Sequence, residues 1–255
     1  MKKGVFLLSV FLFAAHSCWA DIAFDAAASA SASGFPATVT VNLTVGAGAN
    51  RGMGVCVITV NPTTVAAPQV EWDKAGADQN VTEIGTKYNP QNLVATFVYW
   101  LKQPVSGAKI LTVTPSVVFN ASIVSVSVAS YTGTDQSSTP IDGSGGQNFN
   151  SMTSGGVTVT GTSAVDKDWG LICGGGSNGP MTSGAGTTQR TEDHSNVSAS
   201  VFLGDSGANL TPAGSYALAL GAPNFTFPQG WVFFVKPAVA STFVANQSII
   251  ALGGP

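Results

Sequence analysis

Charge is scarce in this sequence. Asp, Glu, Lys and Arg make up 9% of its 255 residues, against roughly a quarter in a typical soluble domain. No Lys/Arg cluster interrupts the scarcity, which argues against nucleic-acid partners and against binding to anionic membranes. Histidine occurs twice and cysteine three times, so no Cys/His set for zinc is at hand. After residue 20 no apolar run reaches the ~18 residues a membrane-spanning helix needs. No convincing amphipathic helix can be traced either. No Gly-x-Ser-x-Gly motif stands at a strand-to-helix elbow. Gly174-Gly175-Gly176 lacks the following Lys and helix of a phosphate cradle.

What is present starts with a leader. Lys2 and Lys3 precede an apolar stretch from Val5 to Ala15, and Cys18-Trp19-Ala20 places small residues at −3 and −1. This pattern predicts a signal peptide over 1–20, cut before Asp21. The expected product is secreted, at a bacterial cell surface or in an extracellular matrix. Ala15-His16-Ser17 makes a poor lipoprotein motif for Cys18, so an anchored form is not expected. Without the leader, eight Lys and Arg stand against thirteen Asp and Glu, and His194 is the only histidine left. Hydrophobic residues at 44% speak for a packed core rather than disorder.

Cys56 and Cys173 remain in the mature chain, and two readings stand open. In an oxidising compartment they pair. Alternatively, each sits within an apolar run (Val55-Cys56-Val57, Ile172-Cys173-Gly174) as a buried free thiol acting as a small hydrophobe.

Period-2 alternation predicts strands. It is clear in Thr38 to Val45, Ala121 to Val128 and Val157 to Thr160. Other runs are apolar on both faces and predict central strands: Met53 to Val60, Leu93 to Leu101, Trp169 to Cys173 and Trp231 to Val235. Turn chemistry such as Asn61-Pro62, Asn89-Pro90 and Asp142-Gly143 separates them. About a dozen strands with loops of unequal length fit an all-β, jelly-roll-like β-sandwich of two antiparallel sheets over 21–237. Gly143 to Gly156 reads as a long surface loop, and the Val/Thr likeness near Val39 and Val157 is too short for a repeat. The residues 238–255 form a C-terminal tail. Its segment Ser241 to Leu252 has strand composition and no charge. It is expected either to close its own sandwich or to add to a neighbour's sheet.

Several segments, taken in order, resemble a jelly-roll-type module that recurs in secreted and surface proteins of bacteria. They are Ile22-Ala23-Phe24-Asp25-Ala26, then Gly48-Ala49-Asn50-Arg51 before Met53 to Val60, and Leu101-Lys102-Gln103-Pro104 before Ile110 to Thr114. Next come Tyr131-Thr132-Gly133-Thr134-Asp135-Gln136 before Pro140, and Gly184 to Arg190. The series closes with Trp231 to Pro237. The resemblance covers Ile22 to Pro237 and implies a non-enzymatic extracellular module for adhesion, display or accessory duty. It brings no catalytic residues.

The residues that chemistry would need are few. Glu71 and Asp73 share one face of a predicted strand with Trp72 on the other, and Glu83 would be a third carboxylate of a glycosidase site. His194, within Thr191-Glu192-Asp193-His194-Ser195, is the only base for a nucleophile and reads as part of a solvated loop. Asp135, Asp142, Asp166 and Asp168 are candidate donors to a structural calcium, without a loop signature. Trp72, Tyr88 and Phe149 are the aromatics expected to be exposed for stacking on a polysaccharide, whereas Trp100, Trp169 and Trp231 are expected in the core. No catalytic, cofactor or metal residue is assigned, and the protein is not expected to be an enzyme. The expectation is a structural or adhesive protein that associates with itself or with matrix partners, extending to filaments or arrays by strand addition. A carbohydrate-binding accessory is the alternative, and a glycan hydrolase is the weakest reading.

Overall fold

The structure, a computed structural model, describes residues 19–34, 38–60, 66–89, 93–116, 122–148, 156–177, 179–196, 198–221 and 226–239. Among them are seventeen strands and no helix. In chain order these are β1 (Ala23–Ser33), β2 (Val39–Val45), β3 (Gly52–Val60), β4 (Gln69–Trp72), β5 (Gln79–Asn80), β6 (Thr82–Asn89), β7 (Val94–Lys102), β8 (Gly107–Thr114) and β9 (Ile123–Thr132). The remainder are β10 (Ile141–Asn148), β11 (Val157–Ser163), β12 (Trp169–Ser177), β13 (Thr182–Ser183), β14 (Thr188–Asp193), β15 (Ser200–Asp205), β16 (Gly214–Gly221) and β17 (Thr226–Val235).

All pairings are antiparallel, and the sandwich has four sheets where two were expected. A first outer sheet, β2-β8-β4-β5, faces a first inner sheet, β1-β9-β3-β7-β6. A second inner sheet, β10-β17-β12-β15-β14, faces a second outer sheet, β11-β16-β13. The two inner sheets pack on each other, so four layers stack around three apolar zones.

The alternation of side chains explains the stack. Along β3, Met53, Val55 and Val57 enter the first zone while Cys56, Ile58 and Val60 enter the seam between the inner sheets. Along β12, Leu171 and Cys173 face the seam and Ile172 faces the second outer sheet. The runs that are apolar on both faces are therefore the strands covered on both sides. β2 alternates buried valine and leucine with exposed threonine and asparagine because its outer face meets solvent. Each large side chain fully buried this way contributes roughly 1.5–3 kcal/mol.

β9 departs from expectation. Its Ser/Val alternation predicts one wet face, yet Ser125 and Ser127 are fully buried on the seam side. Serine there is a small residue that lets the inner sheets approach. β1 does the same with Ser29, whose hydroxyl donates to the Glu192 carbonyl at 3.2 Å, and with Ser31, 2.6 Å from the Ser195 hydroxyl. The Gly143 to Gly156 stretch also differs: its first part is β10, paired along β17 from Ile141 to Asn148.

The two halves have one topology. Renaming β1, β2, β3, β4, β6, β7, β8 and β9 as β10, β11, β12, β13, β14, β15, β16 and β17 turns each sheet of the first half into its counterpart. Register follows: Phe24 opposite Tyr131 corresponds to Ile141 opposite Val235, and Cys56 opposite Val98 to Cys173 opposite Leu203. Bulges follow too, at Asp25 and Asp142 in the first strands and at Ile84 and Arg190 in the edge strands. The Val39 and Val157 segments are thus equivalent strands of a duplicated fold. The contacts of β1 with β14 and of β10 with β6 exchange under the same renaming, as a two-fold relation requires.

That relation places Cys56 against Cys173. The two pair as a disulfide, with Cα atoms 5.5 Å apart, and no part of either residue is exposed. The bond joins the central strands of the two inner sheets at equivalent positions and closes a separation of 117 residues.

Candidate functional site

The carboxylates that a glycan hydrolase would need, Glu71, Asp73 and Glu83, are not brought together. Parity along β4 is as expected, but Trp72 faces the core, fully buried, with its Nε1 donating to the Val105 carbonyl at 3.1 Å. Trp72 is therefore a core residue and no stacking platform. Glu71, on the outward face, is 5% exposed and paired with Lys74 at 2.6 Å. Asp73 lies one residue past β4, in the left-handed region at φ 52°, so it does not share the expected strand face with Glu71. Its carboxylate accepts from the Ala77 N–H at 3.0 Å and pairs with Lys109 at 3.0 Å, and these two hold it below the ordinary carboxylate range. Glu83 lies on β6 of a different sheet and accepts from the Thr86 hydroxyl.

His194 does meet a serine: its Nδ1 lies 2.6 Å from Ser200 Oγ. Ser200 is fully buried and donates to the Gly179 carbonyl, so its oxygen faces backbone and not a substrate. Burial raises the carboxyl of Glu192 nearby, against the opposing pull of the Met181 N–H and His194.

Of the calcium candidates, only Asp142 and Asp168 come together. Among the described residues no cluster of three or more metal-ligating side chains occurs. Asp166 accepts from the Ala213 N–H at 2.6 Å, and Asp135 accepts from the Ser137 N–H at 2.9 Å and lies 3.7 Å from Lys236. Asp142, at the β10 bulge, accepts from the N–H groups of Ala164 at 2.6 Å and Val165 at 3.0 Å. Asp25 does the same at its own bulge, accepting from Gly46 at 2.8 Å. Where the first half has Arg51, however, the second has Asp168, fully buried and accepting from Ser163 Oγ at 2.8 Å. Burial, with the Asp142 carboxylate beside it, pushes the Asp168 carboxyl up to about 8. Asp142 is desolvated, yet the hydrogen bond with Asp168 and the two N–H groups hold it below its usual range. Two carboxylate charges side by side are costly here, and the proton they share is favoured on Asp168 over Asp142.

The geometry with most room for chemistry lies at the ends of the seam. At one end Arg190 Nε donates to Asp205 at 2.6 Å, and Asp205 also accepts from Tyr131 at 3.0 Å. The Arg190 guanidinium lies 4.2 Å from the centre of the Phe24 ring. Asp205 is fully buried, and burial followed by its charge raises the Tyr131 hydroxyl well above the phenol range. No feature of the separate segments signals this network, because its members come from four strands.

The equivalent positions at the other end are Ile84, Trp100 and Ile141. Here no ion pair fills the space, and a groove of roughly 430 Å³ opens between β6, β7 and the segment Ser138–Ile141. Trp100 is 3% exposed on its floor, and Trp169 is buried in the seam as expected. Trp231 is half-buried, with Lys87 Nζ 5.9 Å above its ring. Tyr88 is half-buried as well, and Phe149 lies outside the described residues. No family model, no curated protein and no solved structure matches this chain.

Proposed function

We propose that the chain is an exported, non-catalytic structural or adhesive module whose two halves are jelly rolls packed back to back. The observation that carries the reading is the Cys56–Cys173 disulfide, sealed between the inner sheets. Such bonds persist in oxidising compartments, which fits the leader at 1–20. The strand order β1-β9-β3-β7 over β2-β8-β4-β5 supports the jelly-roll reading of the first half, and the second half repeats it with one outer strand fewer. The ionisable groups also support a holding role. Glu71, Asp73, Asp205 and Asp142 each have a cation, a backbone N–H or a neighbouring strand as partner.

Self-assembly is the second part of the proposal. Ala238, three residues past β17, is tied to the first half of the mature chain: its N–H donates to the Gly133 carbonyl at 2.7 Å. The uncharged segment Ser241 to Leu252, which is the proposed donor strand, follows directly and lies outside the described residues. Electron microscopy of the mature protein tests this. Filaments or arrays that vanish when Ser241 to Pro255 are deleted are expected. Monodisperse particles at every concentration would overturn strand addition, and a substrate turnover lost on neutralising one carboxylate would overturn the non-catalytic reading.

A further inference from the structure

The two ends of the seam are equivalent in backbone and opposite in filling. At the closed end, Phe24, Arg190 and Asp205 occupy the space with an aromatic ring and a buried ion pair. At the open end the same three backbone positions carry Ile141, Ile84 and Trp100, and the space is left as the groove. Replacing a charged pair by apolar side chains that do not fill the volume leaves surface from which water is readily displaced. Pro140 and Leu101 extend the apolar lining.

Of the residues lining the groove Lys102 alone is charged, while Lys236 stands behind the Thr139 hydroxyl, to which it donates at 3.1 Å. The Lys102 ammonium donates to the Ser137 carbonyl at 2.8 Å and forms no ion pair among the described residues. The acid nearest in sequence, Asp135, is engaged by Ser137 and Lys236 instead. A cation satisfied only by a neutral carbonyl, at the mouth of an apolar groove, is complementary to a ligand with an apolar body and an anionic end.

We infer that the open end of the seam binds a small amphiphile with an apolar ring or short chain in the groove and a carboxylate against Lys102. The inference is independent of self-assembly, since the groove lies within one chain.

The experiment uses the mature protein with its disulfide intact, titrated by calorimetry with 3-phenylpropanoate and, separately, with 3-phenyl-1-propanol. Saturable one-to-one binding of the acid is expected. Lys102→Gln should weaken the acid about fivefold, as an exposed charge pair worth roughly 1 kcal/mol would, and leave the alcohol unchanged. Ile141→Phe, which copies the closed end, should abolish both. Ser138→Trp, an exposed rim position, does the same by blocking the mouth and serves if Ile141→Phe fails to fold. Absence of saturable acid binding overturns the proposal, and so does binding indifferent to the folded filling variants. An acid affinity unchanged by Lys102→Gln overturns the anionic end.

Discussion

The central strands of the two halves part company after their cysteines: Val57 and Ile58 of the first stand where Gly174 and Gly175 stand in the second. Trp72, Phe97, Tyr99 and Leu111 lie between the first pair of sheets. In the second half, β12 carries Gly174 and Gly175 at its centre. A Cβ on Gly175 would stand 1.9 Å from Ile58 of the first half, and one on Gly174 would stand 2.3 Å from Leu220. The glycine run that resembles a phosphate cradle in one dimension is a slot for side chains of neighbouring layers. One backbone plan thus tolerates two packing solutions, because a sheet needs only the volume between layers filled at crystal-like density. What the halves must share is the plane where they meet, and there Cys56 and Cys173 occupy the same position.

The largest way to break the comparison is to cut the shared plane. Replacing Cys56 and Cys173 together by alanine should cost about 4–5 kcal/mol on loop entropy alone for so long a loop. Denaturant unfolding followed by tryptophan fluorescence reads this as a fall in midpoint. Titration comes next, through a pair that only the second half has. Asp168 holds in the folded state a proton that the unfolded chain gives up near pH 4, so its contribution falls as pH rises from about 4 to about 8 and then levels. Asp142 has the opposite sign and acts below about pH 4, losing its contribution as pH falls. Glu192, also raised, slopes in the same direction as Asp168. Asp168→Asn should therefore flatten the pH dependence of the unfolding midpoint between pH 5 and 8, and a slope equal to wild type would contradict the assignment.

The ends of the seam give a smaller contrast. Arg190→Met leaves the Asp205 carboxylate buried without its cation and should cost about 3 kcal/mol. At the equivalent position Ile84→Met conserves volume and should cost under about 1.5 kcal/mol. Equal losses would show that the ends are not differently built. Smallest is Glu71→Gln, which removes an ion pair to a Lys74 that is 52% exposed and should shift stability by about 1 kcal/mol or less.

Much of the fold was legible because it depends on periodicity. The doubly apolar runs are β3, β7, β12 and β17, and the alternating runs at Val39 and Val157 are outer strands with one wet face. The duplication was not legible, since equivalent positions share a backbone role and not a side chain. Ile84 corresponds to Arg190, Trp100 to Asp205 and Arg51 to Asp168, pairs no sequence comparison would align. Burial of Ser125 and Ser127 was hidden for a related reason: their alternation looks half-wet until a second inner sheet covers them. Closeness along the chain is a poor guide to which carboxylates meet. Glu71 and Asp73 are only two positions apart and have separate lysines, whereas Asp142 and Asp168 are distant in sequence and meet.

The most direct test of the central claim, that two equivalent halves are locked through matching central strands, is peptide mapping, without reduction, of residues 21–255 produced in an oxidising compartment. One intrachain link between the peptides containing Cys56 and Cys173 is expected, with neither thiol free. Two unmodified thiols, or a bond joining separate chains, would contradict it.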